Sequence, residues 1–307
     1  MTTDTAALEA IGLERSYGRV QAVRGVSLRV KPGELYGLVG PDAAGKTTTI
    51  QCLAGLMKPT AGQVRVLGSD PLRSSHAREL LGLMPQEYSL YGDLSIAENL
   101  SFFGHLFGLK KAVYKERKDR LMAITRLARF LDRRADALSG GMYKKLALSC
   151  ALLHQPKVLL LDEPTNGVDP VSRRELWELI YELVAGGMAV LVSTPYMDEA
   201  SRCHRVGLMY RGRILAEGAP SELTASLEQE VYEVMGGDRV ALQAQVASIP
   251  DVIAASPAGA RLRIVVTPGR REAVERTTAS LGAELVRVAP DFEDLFLARI
   301  HAQEEAA

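Results

Sequence analysis

The sequence predicts an α/β protein in which a doubly wound, largely parallel sheet carries a small α+β appendage at its C-terminal side. Three observations predict it. The runs at 35–39, 158–161 and 188–193 are apolar throughout, as strands covered on both faces require. Stretches with helically spaced apolar residues separate those runs, so strand and helix alternate. Beyond about Leu223 the texture changes to short units, and 307 residues are more than one small domain needs. The boundaries read as a main domain at 1–225, with a helical subdomain inserted at about 88–149, and an accessory domain at 226–307.

Taken in order, the opening third alternates β-rich runs with turns. Residues 26–30 have period two, Lys31, Pro32 and Gly33 turn the chain, and 35–39 is a buried strand. A loop at 40–47 leads into a helix marked by Ile50, Leu53, Ala54 and Leu56, with Gly55 near its stop. From Asp93 to Cys150 the pattern is helical. Ser95 and Glu98 form a capping box, and Leu121, Ile124, Leu127, Ala128 and Leu131 make one apolar stripe. The mixed charges at 110–120 read as a solvated helix face. After the strand at 158–161, Ser172 and Glu175 suggest a second capping box opening a helix through Trp177 and Leu183. A strand at 188–193 and a hairpin at 206–217, turning at Arg211 and Gly212, follow. The appendage shows strands at 231–235, 262–266 and 284–288, helices at 240–249, 270–281 and from Phe292, and a turn at Gly236, Gly237 and Asp238.

Composition narrows the function classes. With 47% hydrophobic and 24% charged residues the chain can bury a core. Basic and acidic residues both number 37, so no global field favours nucleic acid, and no nucleic-acid partner is expected. Cys52, Cys150 and Cys203 are scattered in apolar surroundings, which suits reduced core thiols and an intracellular setting. The N-terminal residues lack the basic and apolar regions of a signal peptide, and no apolar run approaches the ~18 residues of a membrane helix. A membrane role would need another chain to span the bilayer.

The chemistry concentrates in the loop Gly40, Pro41, Asp42, Ala43, Ala44, Gly45, Lys46, Thr47 and Thr48, which fits the Gly-x-x-x-x-Gly-Lys-[Ser/Thr] phosphate-binding pattern between a strand and a helix. Its backbone N–H groups can line a concavity at a helix N-terminus, where the dipole favours phosphate oxygens. Lys46 adds a point charge toward the β- and γ-phosphates, and the Thr47 hydroxyl suits Mg²⁺. Leu161, Asp162, Glu163 and Pro164 then place two carboxylates at the end of an apolar strand. Asp162 is placed for the metal, and Glu163 for the attacking water.

A second anion site is encoded at Leu138, Ser139, Gly140, Gly141 and Met142, where a serine caps a helix whose first N–H groups two glycines leave accessible. This run, followed by the Asp162 and Glu163 pair, resembles the signature motif of ABC ATPases, a branch of the P-loop NTPases. The resemblance covers roughly residues 10–225, and two segments, Met84 to Ser95 and Leu161 to Trp177, are most similar to ABC-2-type drug-exporter ATPases. It implies a RecA-like core with an antiparallel β subdomain and inserted helical subdomain, ATP and Mg²⁺ as ligands, a permease chain as partner, and a second nucleotide-binding domain packed head to tail, as homodimer or heterodimer. It also implies a cytoplasmic location against the inner face of the membrane. By the same resemblance Tyr17 stacks on adenine, Gln86 links Mg²⁺ to the helical subdomain, Asp169 belongs to the D-loop, and Ser139, Gly140, Gly141 and Met142 meet ATP held by the partner. Asp291, Phe292, Glu293, Asp294, Leu295, Phe296 and Leu297 resemble the closing helix of the accessory domain in such subunits.

Three positions depart from the family pattern. Pro195 stands where members usually carry a switch histidine, and proline has no side-chain donor for a γ-phosphate. Ala43 replaces a glycine, at a cost of about 1 to 2 kcal/mol if φ is positive there. Met142 ends the signature where a polar residue is common. The expectation is an ATP-hydrolysing exporter subunit. The alternative is a degenerate ATP-binding subunit whose signature completes a competent partner site.

Overall fold

The computed structural model describes residues 6–87, 89–236, 239–259 and 261–305. Two compact units emerge, one comprising 1–196 with 209–214, the other 197–208 with 215–307.

The first unit opens with two long strands, β1 (Leu8–Tyr17) and β2 (Val20–Val30), then β3 (Leu35–Val39), α1 (Lys46–Leu53) and β4 (Ala61–Val66). Strands β2, β1 and β4 form an antiparallel sheet in that order, with Leu8 facing Val30 on one side and Val66 on the other. Period-two alternation in β2 sends Val26, Leu28 and Val30 inward. Helix α2 (Ser75–Glu79), β5 (Leu81–Met84), the helical stretch α3 (Ile96–Leu106), α4 (Lys111–Thr125) and α5 (Gly140–Leu152), then β6 (Val158–Asp162), α6 (Pro170–Ala185) and β7 (Ala189–Thr194) follow. The main sheet has the order β5-β6-β7-β3-β8-β9, with β8 at Arg205–Tyr210 and β9 at Arg213–Gly218. Its β5-β6, β6-β7 and β3-β7 pairs are parallel. Every residue of β3, β6 and β7 is buried, which explains their unbroken apolar sequences. Ile50 and Leu53 of α1 join a core that also takes Leu8, Val26, Leu38 and Leu160. The sheet thereby fixes the two chain ends that carry chemistry, Val39 leading into the loop and Asp162 leading into Glu163.

Local signals were read correctly where a cap was unambiguous. Ser95 and Glu98 make both bonds of the capping box at α3. The proposed box at Ser172 and Glu175 is corrected. Asp169 caps α6, its Oδ1 accepting from the N–H groups of Val171 and Ser172 at 3.1 and 2.9 Å, while Pro170 occupies the first turn. Proline suits that turn because its missing N–H is one the helix could not pair anyway. The apolar stripe from Leu121 to Leu131 is also broken: Arg126, at φ 59°, ends α4, and Ala128–Phe130 is a short 3₁₀ turn.

The second unit holds α7 (Pro220–Ala225), β10 (Glu230–Gly236), α8 (Arg239–Ala247), β11 (Val252–Ala258), β12 (Arg261–Val266), α9 (Arg271–Ser280), β13 (Ala283–Arg287) and α10 (Phe292–Glu305). Its antiparallel sheet runs β11-β12-β10-β13, the split βαβ arrangement of ferredoxin-like folds. Strand β11 was absent from the sequence reading. Of the expected turn after β10, Gly237 and Asp238 lie outside the described residues. Within this unit the Arg263 guanidinium binds both oxygens of buried Asp294 at 2.7 to 3.1 Å and fastens α10 to β12. The Asp291 motif is a helix start: Asp291 Oδ1 accepts from Glu293 and Asp294 N–H, and Asp294 Oδ2 accepts from Asp291 N–H.

All three cysteines are free and buried, and burial pushes the thiols up, to about 11 for Cys52 and about 12 for Cys203, so they stay protonated. Among the described residues no helix is long and apolar enough to cross a membrane.

Candidate functional site

The loop between β3 and α1 owes its shape to two glycines. A Cβ on Gly40 would lie 2.1 Å from the Met209 carbonyl oxygen, and one on Gly45, at φ 105°, 2.4 Å from that of Ala22. Between them Ala44 N–H closes a turn on Pro41 O at 3.2 Å, and Ala43 sits at φ 61°. The sequence-based concern about Ala43 is therefore met by a backbone in the left-handed region. Helix α1 begins at Gly45 with no side-chain cap, so its first N–H groups face outward from a positive helix end. Lys46, 4% exposed, donates to Gly40 O at 2.9 Å and Pro41 O at 3.0 Å.

Glu163 faces this lysine. Its Oε1 lies 3.3 Å from Lys46 Nζ, while Oε2 accepts from Gln86 Nε2 at 2.9 Å and Asn166 Nδ2 at 3.2 Å. The residue is 3% exposed and adopts φ 49°, the kind of strained backbone that surrounding structure must hold in place. Parallel pairing of β6 and β7 sets Asp162 opposite Ser193. The Ser193 hydroxyl donates to Asp162 Oδ1 at 2.5 Å and accepts from Glu163 N–H at 3.0 Å, so one serine fixes both acids. Thr47 Oγ1 donates to Gln86 Oε1 at 3.4 Å, which closes a chain from Thr47 through Gln86 to Glu163.

A cavity of about 540 Å³ lies over these groups, lined by Asp42 to Thr48, Gln86 and Glu163, with Arg24 and Arg211 on its rim. Asp162, 2% exposed, is not among its lining residues. Tyr17 is not among its lining residues. That side chain is 44% exposed, donates to Met57 Sδ at 2.9 Å, and carries the Arg15 guanidinium 4.8 Å over one ring face.

Ser139 caps α5, its Oγ accepting from Met142 N–H at 3.4 Å. The adjacent glycines are needed for packing. A Cβ at Gly140 would approach Gly167 O to 2.9 Å, and one at Gly141 would strike the Ser172 side chain at 2.3 Å. Ser139, Gly140, Gly141 and Met142 thus stand at the first turns of α5 beside α6, apart from the cavity lining. Asp169 lies on the same side, its carboxyl held below the usual range by bonds from Ser172, and Pro195 follows β7 half-buried.

The sequence reading missed Lys144, Asn166 and Ser193. Lys144 reaches from α5 to the carbonyl oxygens of Gln86 at 3.3 Å and Glu163 at 3.5 Å. Burial lowers its ammonium from the ordinary lysine value, and the Glu163 and Asp162 charges offset part of that. Ser193 alone had an available signal, since a parallel neighbour ending level with Asp162 must present a residue to it.

Residues 23–166 match the ABC transporter family profile. Nod factor export ATP-binding protein I of Paraburkholderia xenovorans (strain LB400) is 41% identical over 273 residues, covering 84% of this chain and 90% of that protein. The probable multidrug ABC transporter ATP-binding protein YbhF of Escherichia coli (strain K12) is 44% identical over 225 residues, 73% of this chain, and the chain spans 39% of that relative's length. Among solved structures, an ATP-binding subunit of an ABC transporter superposes with a TM-score of 0.66 at 31% identity, over 72% of this chain and 92% of its own. The cbiO1 protein of Clostridium perfringens gives 0.66 at 28% identity, over 73% and 92%. With the loop, the paired acids and the Ser139 helix cap in these positions, and with a relative that matches over most of both lengths, the chain belongs to the ABC transporter ATP-binding family.

Proposed function

We propose that this chain is the ATP-hydrolysing subunit of an ABC-2-type exporter of drugs or other small molecules, with 1–225 as nucleotide-binding domain and 226–307 as accessory domain. The observation that carries the reading is the Glu163 carboxylate, held between Lys46 and Gln86 at 3.3 and 2.9 Å beside a helix N-terminus with free donors. The N–H groups of Gly40 to Thr48 and the Lys46 ammonium hold the phosphates, Glu163 accepts the proton of the attacking water, and Tyr17 offers its open ring face to adenine. Thr47, Gln86 and Asp162 present hard oxygen donors in the small number that Mg²⁺ takes from protein when phosphates complete its shell. Bound there, Mg²⁺ would neutralise charge developing on the phosphoryl oxygens. Ser139, Gly140, Gly141 and Met142 serve ATP on a second nucleotide-binding domain, and Asp169 orders the adjoining turn.

The permease partner is assigned to α3 and the loop before it. Tyr91, Phe102, Phe103 and Phe107 form an unbroken aromatic ridge with successive ring centroids 4.7, 5.4 and 6.4 Å apart. Tyr91, Phe102 and Phe107 are 48%, 39% and 38% exposed, which is costly unless another surface covers them. Such docking supports the reading of a chain held peripherally at the cytoplasmic face of the membrane. The names of the two relatives, a Nod factor exporter subunit and a probable multidrug transporter subunit, support the export direction. Steady-state ATP hydrolysis by the purified chain with Mg²⁺, alone and with its permease in vesicles, tests the reading. Glu163→Gln should abolish turnover, and equal activity in both forms would overturn it.

A second reading is favoured by Pro195, which has neither an imidazole nor an N–H to offer a phosphate: a slow subunit whose Ser139 cap completes the competent site of a partner ATPase. Under it, Pro195→His raises turnover of the purified chain. High activity without a partner, unchanged by that substitution, would exclude it.

A further inference from the structure

Glu163 receives three side-chain donors, from Lys46, Gln86 and Asn166. Under the proposed function Lys46 and Gln86 serve phosphate and metal when ATP binds, so neither stays committed to the carboxylate. The third donor is Asn166 Nδ2, 3.2 Å from Oε2, on the turn that leaves Glu163. Asn166 N–H also donates to Glu163 O at 3.2 Å, so the amide is tethered to the residue it serves. Its own Oδ1 accepts from the Tyr196 hydroxyl at 3.4 Å. Tyr196 is fixed in turn by its N–H bond to Thr194 Oγ1 at 3.1 Å and by the Arg173 guanidinium 4.5 Å over its ring. Accepting from Tyr196 orients the amide so that its NH₂ points at Glu163. Pro195, between β7 and Tyr196, contributes no donor at all.

We propose that Asn166, oriented by Tyr196, is the positioning residue for Glu163 in this chain and replaces the donor that Pro195 cannot supply. With Asn166 on Oε2, Oε1 is the oxygen left to face water once Lys46 moves to the phosphates. The site of this chain is on that account competent to turn over. The inference rests on Glu163 being the base, and the experiment separates the two.

The test is steady-state ATP hydrolysis by the full chain, with nucleotide affinity measured separately by a fluorescent ATP analogue. Asn166 is exposed, so its substitution should leave the fold intact, which a thermal melt checks. Asn166→Ala should lower kcat about ten-fold or more, the scale of a lost bond to a charged group, with KM and analogue affinity changed less than about two-fold. Tyr196→Phe should lower kcat in the same way, by less. Pro195→His should raise kcat more in the Asn166→Ala background than in the parent, because the imidazole then fills a missing role. An Asn166→Ala protein with parental kcat, or with a loss confined to KM and analogue affinity, overturns the proposal while leaving Glu163 as base. If Glu163→Gln hydrolyses as fast as the parent, the base assignment fails and this inference falls with it.

Discussion

The Lys46 ammonium and the Glu163 carboxylate lie 3.3 Å apart with both side chains 4% exposed, so the proposed phosphate-binding cation is partnered by the proposed base. ATP must draw Lys46 away from that partner, and part of its binding energy offsets the lost ion pair. Glu163→Gln removes the competing charge. The substitution should therefore tighten ATP binding by several-fold while lowering turnover by about 100-fold or more, the scale of a general base. Equilibrium binding and single-turnover hydrolysis on the same preparation check both. Weaker binding in the variant would show that the pair supports the loop more than it competes with nucleotide.

Ala43 at φ 61° is a conformation glycine reaches freely and alanine does not. Relief of about 1 to 2 kcal/mol is opposed by the larger chain entropy of an unfolded glycine, about 0.4 to 1 kcal/mol. Ala43→Gly should stabilise the nucleotide-free protein by roughly 0.5 to 1 kcal/mol on those figures. Chemical denaturation measures it, and a loss of stability would mean the loop relaxes around alanine without strain.

His154 supplies the pH dependence. Its Nε2 donates to Leu81 O at 3.1 Å, its Nδ1 is buried without a partner, and its ring lies 4.2 Å from Phe107. Burial lowers the imidazole below its ordinary 6.5, with the Leu81 bond opposing and Arg117 adding to the fall. The unfolded chain then takes up a proton at higher pH than the folded one. Stability should decline as pH drops below about 6.5 and level off once the folded imidazole is protonated. His154→Phe keeps the ring packing and should flatten that slope between pH 6.5 and 5. A variant with the parental slope would assign it elsewhere.

What the sequence revealed was what short-range chemistry dictates. The strand, glycine loop and helix from Leu35 to Leu53 were legible because φ, hydrogen-bond capacity and burial all act within about fifteen residues. Ser95 and Glu98 were legible for the same reason. Ser172 misled because a nearer competitor, Asp169 before Pro170, satisfies the same N–H groups with better geometry. Strand β11 went unseen because Ala254, Ala255, Ser256 and Pro257 lack strand chemistry, and only pairing with β12 makes them a strand. Lys144, Asn166 and Ser193 belong to the site through contacts between α5, the turn after β6 and the end of β7. Ser193, level with Asp162 on the parallel neighbour, left a signal in the strand ends; no local pattern encodes the other two.

The accessory fold has a comparable dependence on one distant pair. Asp294 is 1% exposed and takes three hydrogen bonds from Arg263 and one from Asp291 N–H. Arg263 comes from β12, so the pair joins the closing helix α10 to the sheet. Removing the arginine leaves a buried carboxylate with a single donor, and breaking one side of such a pair typically costs about 3 to 5 kcal/mol. Arg263→Leu should therefore destabilise the unit containing β10 to β13 by about 3 kcal/mol or more. Arg263→Leu with Asp294→Asn should recover much of the loss, because a neutral amide is cheaper to leave underbonded than a charge. Hydrogen exchange of the β12 and α10 amides, read beside those of β3 and β6, localises the effect. Equal loosening in both units would show that the pair secures more than its own unit.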